Sequence, residues 1–442
     1  MAERNFAPLD RKAVFGWAMF DFANSSFTTV MVTAYFSLYF QKVLVPPGPD
    51  GSISHGSYLW GLAQSISQIM VILTAPLVGA LADFSGSKKK FLFITYVGCS
   101  LLTCALKLVG PGDVLVGMSL FIVANVFYSS GENIVGAFLP EVSPPHLMGW
   151  ISGLAWGLGY IGGIGSLVLA WGILKTLGTE NGYPWVWVMI GLWFLVAGSP
   201  TFLFVKEKHE PEALPEGQSL ATIGFHRLWQ TFQQARHFRQ LFRFLLIFVV
   251  ISTGVTAVIA FASIIADQTL RFNESELAMF LIWCNMVAVP GAWFWGWLQD
   301  RIGSRAAIRL SLLCWLIALV LVVLIKPVRE GEAPSSFATM SFWTAASFVG
   351  IGMGATSSSC RALVGIFSPV DRSGEFFGLW GLAGKLGSVV GPYAFGQLTA
   401  LADDIRVAEA VVGCAFIASF ILMSIVDEKE GRAASRGPST MA

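Results

Sequence analysis

Four ionisable residues interrupt long apolar stretches of this 442-residue sequence: Asp21, Glu132, Arg361 and Lys385. An ionised side chain at mid-bilayer costs at least about 2.5 kcal/mol, so such residues face a partner or a water-filled cavity. Each has polar company. Asn24 and Thr28 follow Asp21 at i+3 and i+7, Asn125 and Ser129 precede Glu132 on one helical face, and Ser357 and Ser358 lie a turn before Arg361. Carboxyls of this kind exchange protons, and intramembrane cations capture anionic groups. Asp21 reads as the first choice for a protonatable coupling group, against a structural role in hydrogen bonding Asn24 or the backbone. Glu132 and Arg361 stand 229 positions apart, a spacing that recurs below. They read as a cross-cavity ion pair, serving either substrate and proton coupling or structure alone. Lys385 is placed to meet Glu132 or a carboxylate of a solute.

Other chemistries fit poorly. The string GLAGKLGSVVGP (381 to 392) fails as a phosphate loop, because Leu379 stands where its first glycine is required and Leu386 follows the lysine. An ATP-driven pump is therefore not expected. The five histidines all fall in loops without a partnering motif, which argues against a membrane-embedded transferase enzyme. A solute sensor with a transporter's architecture stays open as an alternative. The six cysteines lie in apolar runs without metal-ligand spacing and read as small buried hydrophobes. No cofactor and no metal is expected, and 28 Lys+Arg against 27 Asp+Glu leaves no basic excess for nucleic acid.

The elements that position these residues must be membrane helices. The sequence is 55% hydrophobic and 12% charged, with a mean hydropathy of +0.67, and about 20 apolar residues cross a bilayer. Spans are predicted at 14–42, 58–82, 91–109, 114–138, 148–173, 185–205, 243–266, 277–299, 306–325, 338–368, 376–400 and 408–426. The fold class is thus all-α membrane protein, with twelve transmembrane helices in two six-helix bundles. With an inner N-terminus, inner segments hold 19 Lys+Arg and outer segments 7, so both termini are expected in the cytoplasm. The organisation reads as an N-terminal bundle at 1–205, a linker at 206–242, a C-terminal bundle at 243–428 and a cytoplasmic tail at 429–442. Basic and aromatic residues alternate through 226–242, which suits a helix lying on the inner membrane face.

The chain also repeats itself. The loop after the second span reads GALADFSGSKKK and the loop after the eighth GWLQDRIGSRAAIR, which align Gly79, Asp83, Gly86 and Lys88 with Gly296, Asp300, Gly303 and Arg305. Pro140 and Pro369, Gly149 and Gly378, and Gly162 and Gly391 are each 229 apart, as are Glu132 and Arg361. This doubled loop, with the order of spans, resembles the major facilitator superfamily over nearly the whole chain. Within it, WAMFDFANSSF (17 to 27), SCRALVGIFSP, EFFGLWGLAGK and GPYAFG resemble the autophagy-related vacuolar effluxer family and its bacterial relatives. Cys360 departs from the small or hydroxylated residue expected before the arginine. The resemblance implies secondary transport by alternating access around a central cavity, with amino acids as the suggested cargo.

In that setting Asp83 and Asp300 are expected to accept hydrogen bonds from helix N-termini of the opposite half, latching the inner side shut. Lys88 and Arg305 then pair with the aspartates or with lipid phosphate. Glu375 reads as an N-terminal cap or gate charge rather than a ligand, and Trp156 with Tyr160 as candidates to border the cavity. Expected partners are a small-molecule substrate, protons and membrane lipids, in a monomer in the bacterial inner membrane.

Overall fold

The computed structural model describes residues 9–46, 54–207, 236–272, 274–326, 328, 334–402 and 405–435. Among these every regular element is a helix. The long ones are α1 (Arg11–Ser26), α2 (Ser54–Phe84), α3 (Lys88–Ala105), α4 (Val114–Ala137), α5 (Met148–Phe204), α6 (Arg239–Leu270), α7 (Glu274–Ile302), α8 (Ser304–Val323), α9 (Ser336–Phe367), α10 (Ser373–Ala402) and α11 (Ile405–Leu422). Past Ser26 the first helix continues to Leu44 through wide turns of π type. Eight of the described helices are long and apolar enough to cross a membrane. Those that fall short, α1, α9 and α10, carry Asp21, Arg361 and Lys385, and their glycines, hydroxyls and charges dilute the apolar content.

Local chemistry sets several boundaries. Asp10 caps α1 by accepting from the N–H groups of Lys12 and Ala13. α5 breaks at Gly178, whose φ of 75° lies in the left-handed region open to glycine, and the break falls between the predicted fifth and sixth spans. The interfacial helix expected at 226–242 lies outside the described residues up to 235, and Arg239 to Phe242 already form the first turn of α6. The tail differs from a loose end. Glu428–Ala434 is a short helix whose Gly431 packs on Phe367, and Ser435 Oγ donates to Ile366 O at 3.1 Å. The cysteines are all free, but Cys104 is only partly buried and Cys414 is exposed, so the expectation of six buried thiols holds for four of them.

Two compact units emerge, and they trade helix ends between the sequence halves. One comprises Met1–Pro144, Leu158–Gln230 and Val370–Gly381, the other Pro145–Gly157, Thr231–Pro369 and Leu382–Ala442. In the first unit, fully buried Trp17 donates to Val135 O at 2.7 Å, tying α1 to α4, and Thr201 Oγ1 donates to Gly16 O at 2.7 Å. An aromatic layer of Phe36, Trp60 and Phe121 fills the space near the end of the first helix, with Trp60 and Phe121 centroids 4.5 Å apart. In the second unit, Gly350 and Gly354 let α9 approach the backbone of α7 at Cys284 and Ala288. There buried Trp315 donates to Thr356 Oγ1, itself paired with Ser311, each at 3.0 Å.

Candidate functional site

The doubled loop builds the same contact in each unit. In the first, Asp83 at the end of α2 accepts N–H bonds from Gly374 (Oδ1, 3.0 Å) and Glu375 (Oδ2, 2.8 Å), the first residues of α10. Free N–H groups and the helix dipole make such an end an anion site. Lys88 Nζ lies 3.1 Å from Asp83 Oδ1 and 2.8 Å from Glu141 Oε1, with the lysine and both acids almost wholly buried. It also donates to Ser373 Oγ at 2.8 Å and Val370 O at 3.3 Å. Glu375 turns its carboxylate to Arg372, 3.1 Å away.

In the second unit, Asp300 at the end of α7 accepts from Gly149 (Oδ1) and Trp150 (Oδ2), both at 2.8 Å, at the start of α5. Backbones approach closely at both places. A methyl group on Gly79 would overlap the carbonyl of Gly374, and one on Gly296 would sit 2.5 Å from Gly149 O. Gly86 and Gly303 turn the two loops with φ of 53° and 87°, conformations costly for other residues. The loops differ in their cations. Among the described residues Arg305 makes no ion pair with Asp300, and the side chains that act electrostatically on this carboxylate are those of His146 and Arg432. The reason is legible in the repeat: the position 229 after Glu141 is Val370, so the second half lacks the acid that draws Lys88 inward.

Sequence reasoning missed a second pair of carboxylates. Glu207, after α5, accepts from the backbone N–H groups of Lys88 (2.5 Å) and Lys89 (3.3 Å) at the start of α3, and Glu428, after α11, accepts from Arg305 N (2.5 Å) at the start of α8. Their signal was present as VKEK at 205–208 and VDEK at 426–429. Half-burial raises the Glu207 carboxyl above its ordinary 4.5 more than the two N–H donors lower it, and the charge of Glu141 adds to the rise. Exposed Asp427 is held below 3.8 by the N–H groups of Glu430 and Lys429.

The intramembrane residues gather within each unit. In the first, Thr28 and Tyr128 share a 2.9 Å hydrogen bond between the first helix and α4, and both Glu132 and Asp21 lie near enough to act electrostatically on that phenol. Asp21 and Asn24 are buried and Glu132 is partly so. The buried Oδ1 of Asn24 and Oγ of Ser129 find no hydrogen-bond partner among the described residues. Asn125 donates to Ser67 Oγ of α2 at 2.7 Å. Tyr128 is the member that the sequence pattern did not single out.

In the second unit, buried Arg361 of α9 donates from Nε to Ser152 Oγ (3.1 Å) and from Nη2 to Ser152 O (2.9 Å), with its guanidinium 5.3 Å from the centre of the Trp156 ring. Ser152 Oγ in turn donates to Ser358 O at 2.8 Å, while Ser358 Oγ bonds back to Ala355 O within its own helix. Ser357 is partly buried. Tyr160, one turn beyond Trp156 on α5, packs with the first unit. Lys385 is partly buried on α10, and among the described residues its Nζ has no hydrogen-bond or ion-pair partner.

Comparisons with known proteins agree on one family. The family model described as vacuole effluxer Atg22 like matches residues 9–436. The uncharacterized MFS-type transporter YxiO of Bacillus subtilis is 25% identical over 93% of this chain and 94% of its own. Autophagy-related protein 22-1 of Neosartorya fischeri is 25% identical over 64% of this chain, which covers 48% of that protein, about half its length. Among solved structures, the human organic anion transporter MFSD10 (TETRAN) aligns with a TM-score of 0.71 at 16% identity, over 95% of this chain and 100% of that one. A bacterial homologue of the iron transporter ferroportin in an outward-facing state gives 0.70 at 15%, over 95% and 99%. At these identities the structures speak for the major facilitator fold alone.

Proposed function

The chain belongs to the vacuole effluxer Atg22-like family of major facilitator transporters, and from that premise we propose that it is a proton-coupled secondary transporter of amino acids working by alternating access. In this reading twelve helices cross the bacterial inner membrane with both termini in the cytoplasm, and the protein acts as a monomer. The observation that carries it is the pair of matched latches, in which Asp83 and Asp300 each hold the first N–H groups of a helix from the other sequence half. Two equivalent carboxylate contacts on helix ends are what a carrier needs to hold one side shut and release it again.

The cargo follows from the signs of the intramembrane charges. The bases of the second unit suit the carboxylate of an amino acid, and the Asp21, Tyr128 and Glu132 group of the first supplies carboxyls for a coupled proton. The test is uptake of radiolabelled amino acids into proteoliposomes with and without an imposed pH gradient. Gradient-driven accumulation that Asp21→Asn abolishes supports the reading, whereas flux indifferent to the gradient removes the proton, and absent flux leaves only a solute-binding role.

A further inference from the structure

The two intramembrane cations differ in what already holds them. Arg361 is spoken for by the backbone and hydroxyl of Ser152 and by the Trp156 ring. A planar guanidinium bound at two of its nitrogens is fixed in orientation, and here it fixes the first turns of α5 against α9. Lys385 is the opposite case. It is the thirteenth residue of the 30-residue α10, about 18 Å from its start at 1.5 Å per residue. That is too deep for the side chain to place its ammonium in the interface.

The register of α10 places Lys385 on a defined face. Gly374, Gly378, Gly381 and Lys385 follow one another at steps of four, three and four, so they form one stripe. Exposed Leu386 and Val390 turn away from this stripe, while exposed Val389 and Tyr393, four and eight residues after Lys385, follow along its edge. The lysine thus stands where the glycine stripe meets the apolar side, and its ammonium is not paired among the described residues. A charge held without a partner at that depth of a membrane helix is expensive, and the expense is relieved by an anion that comes and goes.

We infer that Lys385 is the residue that recognises the anionic group of the solute, a carboxylate, and that Arg361 is a positioning residue for the start of α5. This rests on the transport reading above and refines its substrate site. A carboxylate held by the ammonium gains charge-assisted hydrogen bonds that an amide cannot replace. Removal of Lys385 therefore erases selection for the carboxylate, whereas loosening Arg361 alters the conformational step and leaves that selection intact.

The experiment measures thermal shifts and proteoliposome uptake for the wild type, Lys385→Met, Lys385→Arg and Ser152→Ala. The probes are leucine, N-acetyl-leucine, leucinamide and inorganic phosphate. The wild type is expected to favour leucine and N-acetyl-leucine over leucinamide. Lys385→Met raises KM for leucine by about tenfold or more, leaves kcat within a few-fold, and brings the leucine-to-leucinamide preference near one. Lys385→Arg restores part of the preference because the charge returns, and Ser152→Ala lowers kcat with the preference unchanged. A Lys385→Met protein that keeps the wild-type preference overturns the inference, as does loss of the preference in Ser152→Ala. Equal wild-type response to carboxylate and amide also overturns it, and selective stabilisation by phosphate overturns the choice of carboxylate. The thermal shifts read binding without flux, so vesicles that fail to accumulate solute count against transport rather than against Lys385.

Discussion

Asp83→Asn tests the latch at the level of single bonds. The carboxylate accepts two buried N–H bonds, at 3.0 and 2.8 Å, and bonds to a charged group contribute about 1.5–3 kcal/mol each. Asparagine keeps one acceptor and turns an NH2 toward the other donor, so one bond is lost outright and the second loses its charge assistance. Lys88 keeps Glu141 at 2.8 Å and the Ser373 hydroxyl, which spares it the full ~3–5 kcal/mol of an orphaned buried charge. The sum is about 2–4 kcal/mol, or roughly a 30- to 1,000-fold rise in the open population at 1.4 kcal/mol per tenfold. Hydrogen exchange followed by mass spectrometry reads this directly, because amides exchange through local opening. Peptides covering 370–381 should exchange faster by that factor in Asp83→Asn while those covering 148–157 do not change. Asp300→Asn should reverse the pattern, with a smaller effect of about 1.5–3 kcal/mol because no buried lysine depends on it. Unchanged protection at 370–381 in Asp83→Asn would refute the latch.

Gly79→Ala and Gly296→Ala each force a methyl group against a backbone carbonyl across the same contacts. Each should cost about 1–3 kcal/mol by overpacking, seen as a lower Tm and as faster exchange confined to the matching helix start. Glu207 gives a pH signature. Its carboxyl is raised above the ordinary 4.5, so the folded protein binds the proton more readily than the unfolded chain. The stability it contributes is fully present below 4.5 and falls as pH rises through the raised value. Glu207→Gln should therefore flatten the dependence of Tm on pH in the interval just above 4.5, and a slope equal to wild type would contradict the burial cause. Asp427, held below 3.8, carries the opposite sign, with stability present above 3.8 and lost as pH falls further.

How far these features were legible depends on whether their chemistry is repeated along the chain. The spacing of Gly79, Asp83, Gly86 and Lys88 recurs at Gly296 to Arg305, and repetition at fixed distance is something a linear reading detects. The break at Gly178 lay between two predicted spans, so the length of the bent α5 was no surprise. Asymmetry was harder to see. Lys88 and Arg305 look equivalent, yet only the first is drawn inward, because Glu141 has Val370 as its repeat mate. The consequence of that exchange appears only when α2, α3 and the turn after α4 are folded together. The caps Glu207 and Glu428 were hidden for a related reason: an acid in a polar stretch looks solvated until a helix N-terminus more than a hundred residues away is brought to it. Arg361 and Lys385 make the same point within the membrane. Sequence counts both as costly charges awaiting a partner, and only packing reveals that Ser152 has already claimed one of them. The latch carboxylates thus stand where the duplicated halves agree, and the intramembrane charges where they have diverged.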